Sequence, residues 1–220
     1  MLNASDEVMR EILALEQAKK TLSIRELAQD NFMVFVKHVY EGFIEGSHHK
    51  QVAKQFERLA VNPGSRIIVN MPPRHTKSEF ASYLLPAWLI GKNPELKIIQ
   101  TTHTAELAVR FGRKVRNLME LEIYREIFPA GVGGAITGRG ADLLIIDDPH
   151  SEQDALSETA MENAYEWYTS GPRQRLQPGG SIVVVMTRWS LKDLTGKLIR
   201  AQANDVMSDQ WDIIEFPAIL

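Results

Sequence analysis

Short apolar runs rich in Ile, Val and Leu alternate along this chain with longer segments in which apolar residues recur at helical spacing. Such runs are typical of strands that are buried on both faces of a parallel sheet. The alternation therefore predicts an α/β fold with a mainly parallel, doubly wound sheet and helices on both faces. The predicted strands lie at 65–71, 96–101, 143–147, 181–186 and 211–216.

The helical segments carry recognisable start and stop signals. Capping boxes at 23–26 and 159–162 predict that helices begin there. Thr104 predicts the N-cap of another helix, and Pro86 predicts a bend in a helix at 79–90. We expect residues 1–46 to form a helical lead-in and residues 47–220 to form the α/β core.

Composition narrows the function classes. The 220 residues include no Cys, so disulfide scaffolds and thiolate metal sites are excluded. No apolar run approaches the roughly 18 residues needed to cross a bilayer, which predicts a soluble protein. The formal net charge of −3 indicates no general affinity for nucleic acid, so any such contact must come from a local face.

The first chemical signal follows the first predicted strand, where an apolar run stops at prolines and leads to Lys77-Ser78. In the Walker A pattern, G-x-x-x-x-G-K-[ST], backbone N–H groups cradle phosphates, the Lys neutralises them and the hydroxyl binds magnesium. Met71 and Thr76 occupy the two glycine positions. The match is therefore incomplete, because a β-branched Thr tolerates positive φ poorly. We expect Lys77 to be an exposed loop residue.

A second signal lies downstream, where residues 143–146 are apolar and two adjacent carboxylates, Asp147 and Asp148, follow. This order is typical of a Walker B strand, whose carboxyl end reaches the ligand. Asp147 would then bind magnesium and Asp148 would orient the attacking water. Alone, the same residues also fit a core strand that ends in a turn.

Taken together, these stretches resemble the large terminase subunits of tailed bacteriophages, the motors that package DNA into procapsids. The resemblance covers most of the chain from Ser47 onward and rests on Met71–Glu79, Gly138–Pro149, Met186–Trp189 and Asp193–Gly196. It implies the motor ATPase domain of such a subunit, with an additional-strand P-loop NTPase fold and with ATP and Mg²⁺ as cofactors. It also implies a viral protein in the host bacterial cytoplasm. The implied partners are double-stranded DNA, the portal protein and procapsid, the small terminase subunit, and further copies of the chain in a ring.

The resemblance also gives roles to individual residues. Lys77 would contact the β- and γ-phosphates, and Thr187 would couple hydrolysis to movement. Arg74 and Arg188 are the candidates for the arginine that stabilises transition-state charge. Gln51 lies about where the family has an adenine-recognising glutamine. The remaining implied nucleotide contacts come from Pro73, Arg74, His75, Thr76 and Ser78, with Ser78 and Asp147 as the metal ligands.

The chain departs from the family in several places. The family usually has Gly where Thr76 stands and often Glu where Asp148 stands. It also carries more residues between Phe128 and Gly133, where this chain continues into a predicted glycine-eased hairpin. The family's separate C-terminal nuclease domain would begin beyond Leu220, so we expect that domain to be absent here.

Other functions remain open at this point. A metal-dependent nuclease could use a set of carboxylates, and the lost glycines fit a non-catalytic nucleotide-binding assembly module. The His48-His49 pair is not a metal motif, because adjacent helical residues point in different directions. A cationic face at 110–116 is either solvated surface or a DNA contact. The nuclease candidates are Asp142, Asp147, Asp148 and Asp154.

Overall fold

A computed structural model describes residues 4–129 and 140–217. The helices are α1 (Ala4–Asp30), α2 (Phe32–Val39), α3 (Ser47–Leu59), α4 (Leu85–Lys92), α5 (Ala105–Glu120), α6 (Glu122–Ile127), α7 (Glu158–Ser170) and α8 (Leu194–Asn204). The strands are β1 (Arg66–Asn70), β2 (Ile98–Thr102), β3 (Ala141–Asp147), β4 (Leu176–Met186) and β5 (Asp212–Glu215). A π-helix, Glu79–Leu84, leads directly into α4, and short 3₁₀ turns span Asp154–Leu156 and Pro172–Arg175. The predicted hairpin after Phe128 lies largely outside the described residues.

The five strands form one parallel sheet in the order β2-β3-β4-β1-β5. Val185 of β4 pairs with Val69 of β1 on one side and with Asp147 of β3 on the other. The carboxyl ends of these three strands therefore lie side by side. One strand, β4, separates the strand before the phosphate loop from the strand that ends at Asp147. This is the strand order of the additional-strand P-loop NTPases, so the predicted fold class is confirmed.

The two faces of the sheet are buried in two separate apolar cores. Alternate residues of β1, β3 and β4, such as Val69, Ile145 and Val183, pack under the helices from α1 to α6. Their neighbours, such as Ile68 and Ile146, pack on the other face under α7 and α8. Because successive strand side chains point to opposite faces, the near-continuous apolar runs in the sequence satisfy both cores.

The N-terminal helices pack onto the first of these cores. Phe32, Phe35 and Val36 are fully or almost fully buried there. The expected helix start at 23–26 is wrong, because α1 continues unbroken to Asp30. The segment contains no Gly or Pro that would stop the helix from propagating. The second helix begins instead after Asn31, whose side chain accepts a hydrogen bond from the Val34 N–H at 2.9 Å.

Two further helix predictions change in detail. The helix predicted to begin at 159–162 is capped by Ser157, whose extended backbone allows its hydroxyl to accept the Ala160 N–H. The helix before Pro86 is disturbed as predicted, and the disturbance is the π-helix that ends at Leu84. Thr104 caps α5 as predicted, through the Leu107 N–H.

Within the two described ranges, no helix is long and apolar enough to cross a membrane.

Candidate nucleotide site

The phosphate-loop segment, residues 71–78, leaves β1 at the carboxyl edge of the sheet. Its first N–H, from Met71, donates to the Met186 carbonyl of β4 at 3.0 Å. Arg74 and Thr76 have φ values of 65° and 62°, in the left-handed region that favours glycine. Thr76 therefore adopts the glycine-like conformation that the Walker A pattern requires at its position. The loop then enters the π-helix, where the Phe80 N–H donates to the Thr76 carbonyl at 2.9 Å.

Lys77 lies in contact with the second predicted carboxylate. Its Nζ is 2.8 Å from Oδ2 of Asp148. The expectation that Lys77 is exposed is wrong, because only 9% of the residue is accessible once the side chain reaches across to β3. Asp148 itself has a φ of 42°, and its Oδ1 accepts the Thr187 N–H at 2.8 Å. Asp148 thus links the phosphate loop to the turn after β4.

Ser78 contacts the first carboxylate. Its hydroxyl donates to Oδ1 of Asp147 at 2.9 Å, and the hydroxyl of Ser82 donates to Oδ2 at 2.7 Å. Asp147 is 1% exposed, and burial raises its pKa to about 6, with the neighbouring Asp148 charge adding to the increase. Sequence reasoning missed Ser82. The signal was available, because a residue four positions after Ser78 lies on the same side of a helix.

The oxygen donors at this position suit a magnesium ion. Ser78 and Asp147 offer a hydroxyl and a carboxylate, which are the hard ligands that Mg²⁺ prefers. The two hydroxyls only partly compensate the buried carboxylate, so a cation would be favoured there. In the parts of the chain that the structure describes, no group of three or more His, Cys, Asp or Glu residues could hold a metal. The ion would therefore depend on water and on phosphate oxygens for its other ligands.

The same geometry contradicts the site of the alternative hypothesis, a metal-dependent nuclease. Asp142 lies at the opposite end of β3 from Asp147, where its Oδ2 accepts the Lys97 N–H at 2.9 Å. At about 3.3 Å per residue the two carboxylates are too far apart to share a metal. Asp154 is instead engaged with the hydroxyl and N–H of Ser151. The four carboxylates therefore do not form one cluster.

Arg188 belongs to a buried polar network in the turn after β4. Its Nη1 is 3.0 Å from Oδ1 of Asp193 and 2.8 Å from the hydroxyl of Thr195. Asp193 is fully buried and also accepts three backbone N–H groups, from Trp189, Ser190 and Gly196. Arg188 is thus held by a carboxylate of its own turn.

Arg74 and Gln51 are placed differently. Arg74 is exposed on the loop, next to exposed Pro73 and His75, and it forms no ion pair within residues 4–129 and 140–217. Gln51 is exposed on α3. It lies two residues after His49, which contacts the loop, so the two side chains point to nearly opposite sides of the helix. Contact between Gln51 and adenine stays a prediction.

His49 is a second residue that sequence reasoning missed. It is 5% exposed, its Nδ1 accepts the Gly46 N–H at 2.8 Å, and its Nε2 lies 2.6 Å from the hydroxyl of Thr76. Burial, with a smaller contribution from His48, lowers the pKa of His49 to about 4. The available signal was the threonine at a glycine position, because a strained residue needs a neighbour that holds it.

Comparison with known proteins gives no family and no function for this chain. No family model matches the chain, and no curated protein matches it. A solved chain described as a DNA replication initiation factor is similar over 82% of this chain and 49% of its own length, with 14% identity and a TM-score of 0.43. This chain thus spans about half the length of that protein. A likeness this weak gives no function, and the fold assignment rests on the sheet itself.

Proposed function

We propose that this chain is an ATPase with its catalytic site between the phosphate loop and the Asp147-Asp148 pair. One observation supports the proposal above all others. Consecutive loop residues, Lys77 and Ser78, contact consecutive carboxylates, Asp148 and Asp147, at 2.8 and 2.9 Å. A lysine, a hydroxyl and two carboxylates at the carboxyl edge of a parallel sheet are the groups that phosphoryl transfer from a nucleotide requires.

Each group has a physical role in that reaction. The ammonium of Lys77 pairs with Asp148, and a triphosphate in the loop would compete for it. Once Lys77 moved to the phosphates, Oδ2 of Asp148 would be available to accept a hydrogen bond from the attacking water. Its Oδ1 would stay on the Thr187 N–H, which fixes the direction of the carboxylate. Positioning of this kind is the main contribution that proteins make to phosphoryl transfer.

Ser78 and Asp147 would hold the magnesium ion that accompanies ATP. Bound Mg²⁺ neutralises charge on the phosphates. The hydroxyl of Ser82 would keep its hydrogen bond to Oδ2 of Asp147 and so orient the carboxylate.

The finer proposal is that the chain is the motor domain of a phage large terminase subunit. It is supported by the likeness of residues 71–79 to that family's phosphate loop, of 138–149 to its Walker B region, and of 186–189 and 193–196 to its coupling region. On this proposal the partners are double-stranded DNA, the portal protein and procapsid, the small terminase subunit, and further copies of the chain in a ring. The site of action would be the host bacterial cytoplasm.

Phosphate release and plasmid nicking, measured side by side, test the proposal. We expect ATP-dependent phosphate release without nicking, and stimulation of that release by double-stranded DNA. Lys77→Ala should abolish release, because it removes the ammonium that would contact the β- and γ-phosphates. Asp148→Asn should still bind a fluorescent ATP analogue but lose hydrolysis, because Ser78 and Asp147 remain in place.

Lys92→Ala is the matched control, because Lys92 is a partly exposed lysine paired with Asp30 and away from the loop. It should hydrolyse ATP like the parent chain. Circular dichroism and thermal melts would check that Lys77→Ala folds, since Lys77 is buried. Nicking without phosphate release would support a nuclease. Nucleotide binding without release, even with DNA present, would support an assembly module.

A further inference from the structure

We propose that His49 is a positioning residue that holds Thr76 in the left-handed conformation that glycine adopts freely in other phosphate loops. The proposal rests on the proposed nucleotide function of residues 71–78. His49 does not touch the reacting atoms. It acts through Thr76, which directly precedes Lys77.

Thr76 needs such support because of its side chain. A β-branched residue at a φ of 62° is an outlier, and such residues persist only where the surroundings hold them. Glycine lacks the Cβ that causes the clash, so a loop with glycine at this position needs no support from His49. We call the hydrogen bond from His49 to the Thr76 hydroxyl the clamp. The replacement of glycine by threonine therefore creates both the strain and a hydroxyl through which the strain can be controlled.

The direction of each hydrogen bond follows from the first one. The Gly46 N–H can only donate, so Nδ1 of His49 must accept. In the neutral ring the proton is then on Nε2, which donates to the hydroxyl oxygen of Thr76 at 2.6 Å. The Thr76 hydroxyl in turn donates to the His75 carbonyl at 2.6 Å. Every group in this chain of three bonds has the donor or acceptor that its neighbour requires.

The ring is fixed by packing as well as by hydrogen bonds. Its centroid lies 4.8 Å from the Phe43 ring and 4.9 Å from the Phe80 ring. The titratable groups that face it are His48, His75 and Glu45. Burial keeps the ring uncharged at neutral pH, which preserves Nδ1 as an acceptor. A phenylalanine at position 49 would keep the packing and lose only the hydrogen bonds.

The hydrogen bond from His49 affects Lys77 and Ser78, the proposed nucleotide-binding residues, through the backbone of Thr76. The Thr76 carbonyl accepts the Phe80 N–H at the start of the π-helix, and the next residues are Lys77 and Ser78. If Thr76 relaxed to negative φ, the peptide that leads into Lys77 would turn away from its present direction. Loss of the clamp should therefore weaken nucleotide binding.

A double-mutant cycle on the affinity for a fluorescent ATP analogue with magnesium tests this inference. We expect His49→Phe to weaken binding about tenfold in the parent chain, equivalent to about 1.4 kcal/mol. In a Thr76→Gly background, the same His49→Phe change should alter the affinity less than twofold, because glycine needs no clamp. His49→Gln should bind within about threefold of the parent, since its amide nitrogen can replace Nε2 as the donor to Thr76.

Equal losses from His49→Phe in both backgrounds would show that the residue matters through packing alone, and would overturn the inference. If His49→Phe does not fold, His49→Gln and His49→Asn serve instead. The shorter Asn can accept from Gly46 but cannot reach Thr76, so Asn should bind at least fivefold more weakly than Gln. Equal affinities of the two variants would contradict the clamp.

A third readout does not depend on nucleotide. ¹⁵N NMR of the histidine rings should show His49 as the Nε2-protonated neutral tautomer at pH 6, and Thr76→Gly should alter its Nε2 signal. A charged or Nδ1-protonated ring would refute the clamp. Failure of the parent chain to bind nucleotide, with this NMR signature intact, would count against the proposed function and leave the hydrogen-bond chain standing.

Discussion

Two buried carboxylates near the same edge of the sheet, those of Asp193 and Asp147, differ in the number and kind of hydrogen-bond donors that surround them. Asp193 is fully buried and accepts three backbone N–H groups, the Thr195 hydroxyl and the Arg188 guanidinium. Asp147 is 1% exposed and, among the residues that the structure describes, accepts hydrogen bonds from two hydroxyls only, while Lys77 pairs with its neighbour Asp148 instead. The raised pKa of Asp147, about 6, reflects this difference.

The comparison separates a carboxylate with a structural role, Asp193, from one for which we propose a functional role, Asp147. A buried charge with a full set of donors and a cation is stable where it is. A buried charge with only two hydroxyl donors is kept at a cost in stability, and such groups concentrate at functional sites. The turn at 187–196 is therefore fixed by its own hydrogen bonds, whereas the proposed function would supply a cation to the site around Asp147.

The largest expected effect is the loss of stability when Asp193 is removed from the turn at 187–196. Asp193→Ala should lower the free energy of unfolding by about 3–5 kcal/mol, because it leaves Arg188 and three backbone N–H groups without their acceptor in a largely buried network. Urea unfolding followed by circular dichroism would measure it. Asp205→Ala is the control, since Asp205 is exposed and its carboxylate accepts the Met207 N–H. A loss for Asp193→Ala no greater than for Asp205→Ala would remove the distinction drawn here.

The next largest effect separates the two arginines. Arg74→Ala should reduce turnover about a hundredfold, within the range seen when a charge-stabilising group is removed. Arg188→Ala should act mainly on stability, because Arg188 is committed to Asp193. Phosphate release and thermal melts of both variants would show the difference.

A mixture of Arg188→Ala and Lys77→Ala chains extends this test. If Arg188 acted across a subunit interface, the mixture would regain activity and turnover per chain would rise with protein concentration. We expect neither result. Recovery of activity in the mixture would show that Arg188, and not Arg74, stabilises the charge of the transition state.

The smallest effect has the opposite sign. Asp147→Asn should raise the free energy of unfolding by about 1–2 kcal/mol at pH 7 without magnesium or nucleotide, because it removes an under-compensated buried charge. With magnesium and ATP the order should reverse, since only the parent chain gains the free energy of binding. Asp142→Asn, on the same strand, should give no stabilisation. A destabilised Asp147→Asn would contradict the comparison.

The fold was predictable because its signals are local and repeated. The apolar runs of β1, β3 and β4 are buried on both faces, so their sequences leave little choice of element. Helix starts at 23–26 and 159–162 were predicted wrongly because capping boxes are weak signals that a longer helix or a better N-cap can override. Ser157, two residues before Thr159, supplied that better cap.

The site was predictable where its residues follow strands. Lys77, Ser78, Asp147 and Asp148 meet because parallel strands end at one edge. The burial of Lys77, the second hydroxyl from Ser82 and the role of His49 depend on contacts between segments distant in sequence, which no local pattern contains. The partner of Arg188 lies five residues away, but only the fold shows that Asp193 is buried.

The left-handed threonine at position 76 also changes the entropy of ligand binding. A glycine in a phosphate loop samples many backbone conformations, and that freedom is lost when the loop closes around phosphates. The bonds of its hydroxyl to His49 and His75 restrict Thr76 to fewer backbone conformations. Part of the ordering that other loops undergo on binding has thus been completed during folding. The loop should bind with a smaller entropic penalty and should exchange its nucleotide as a nearly rigid body.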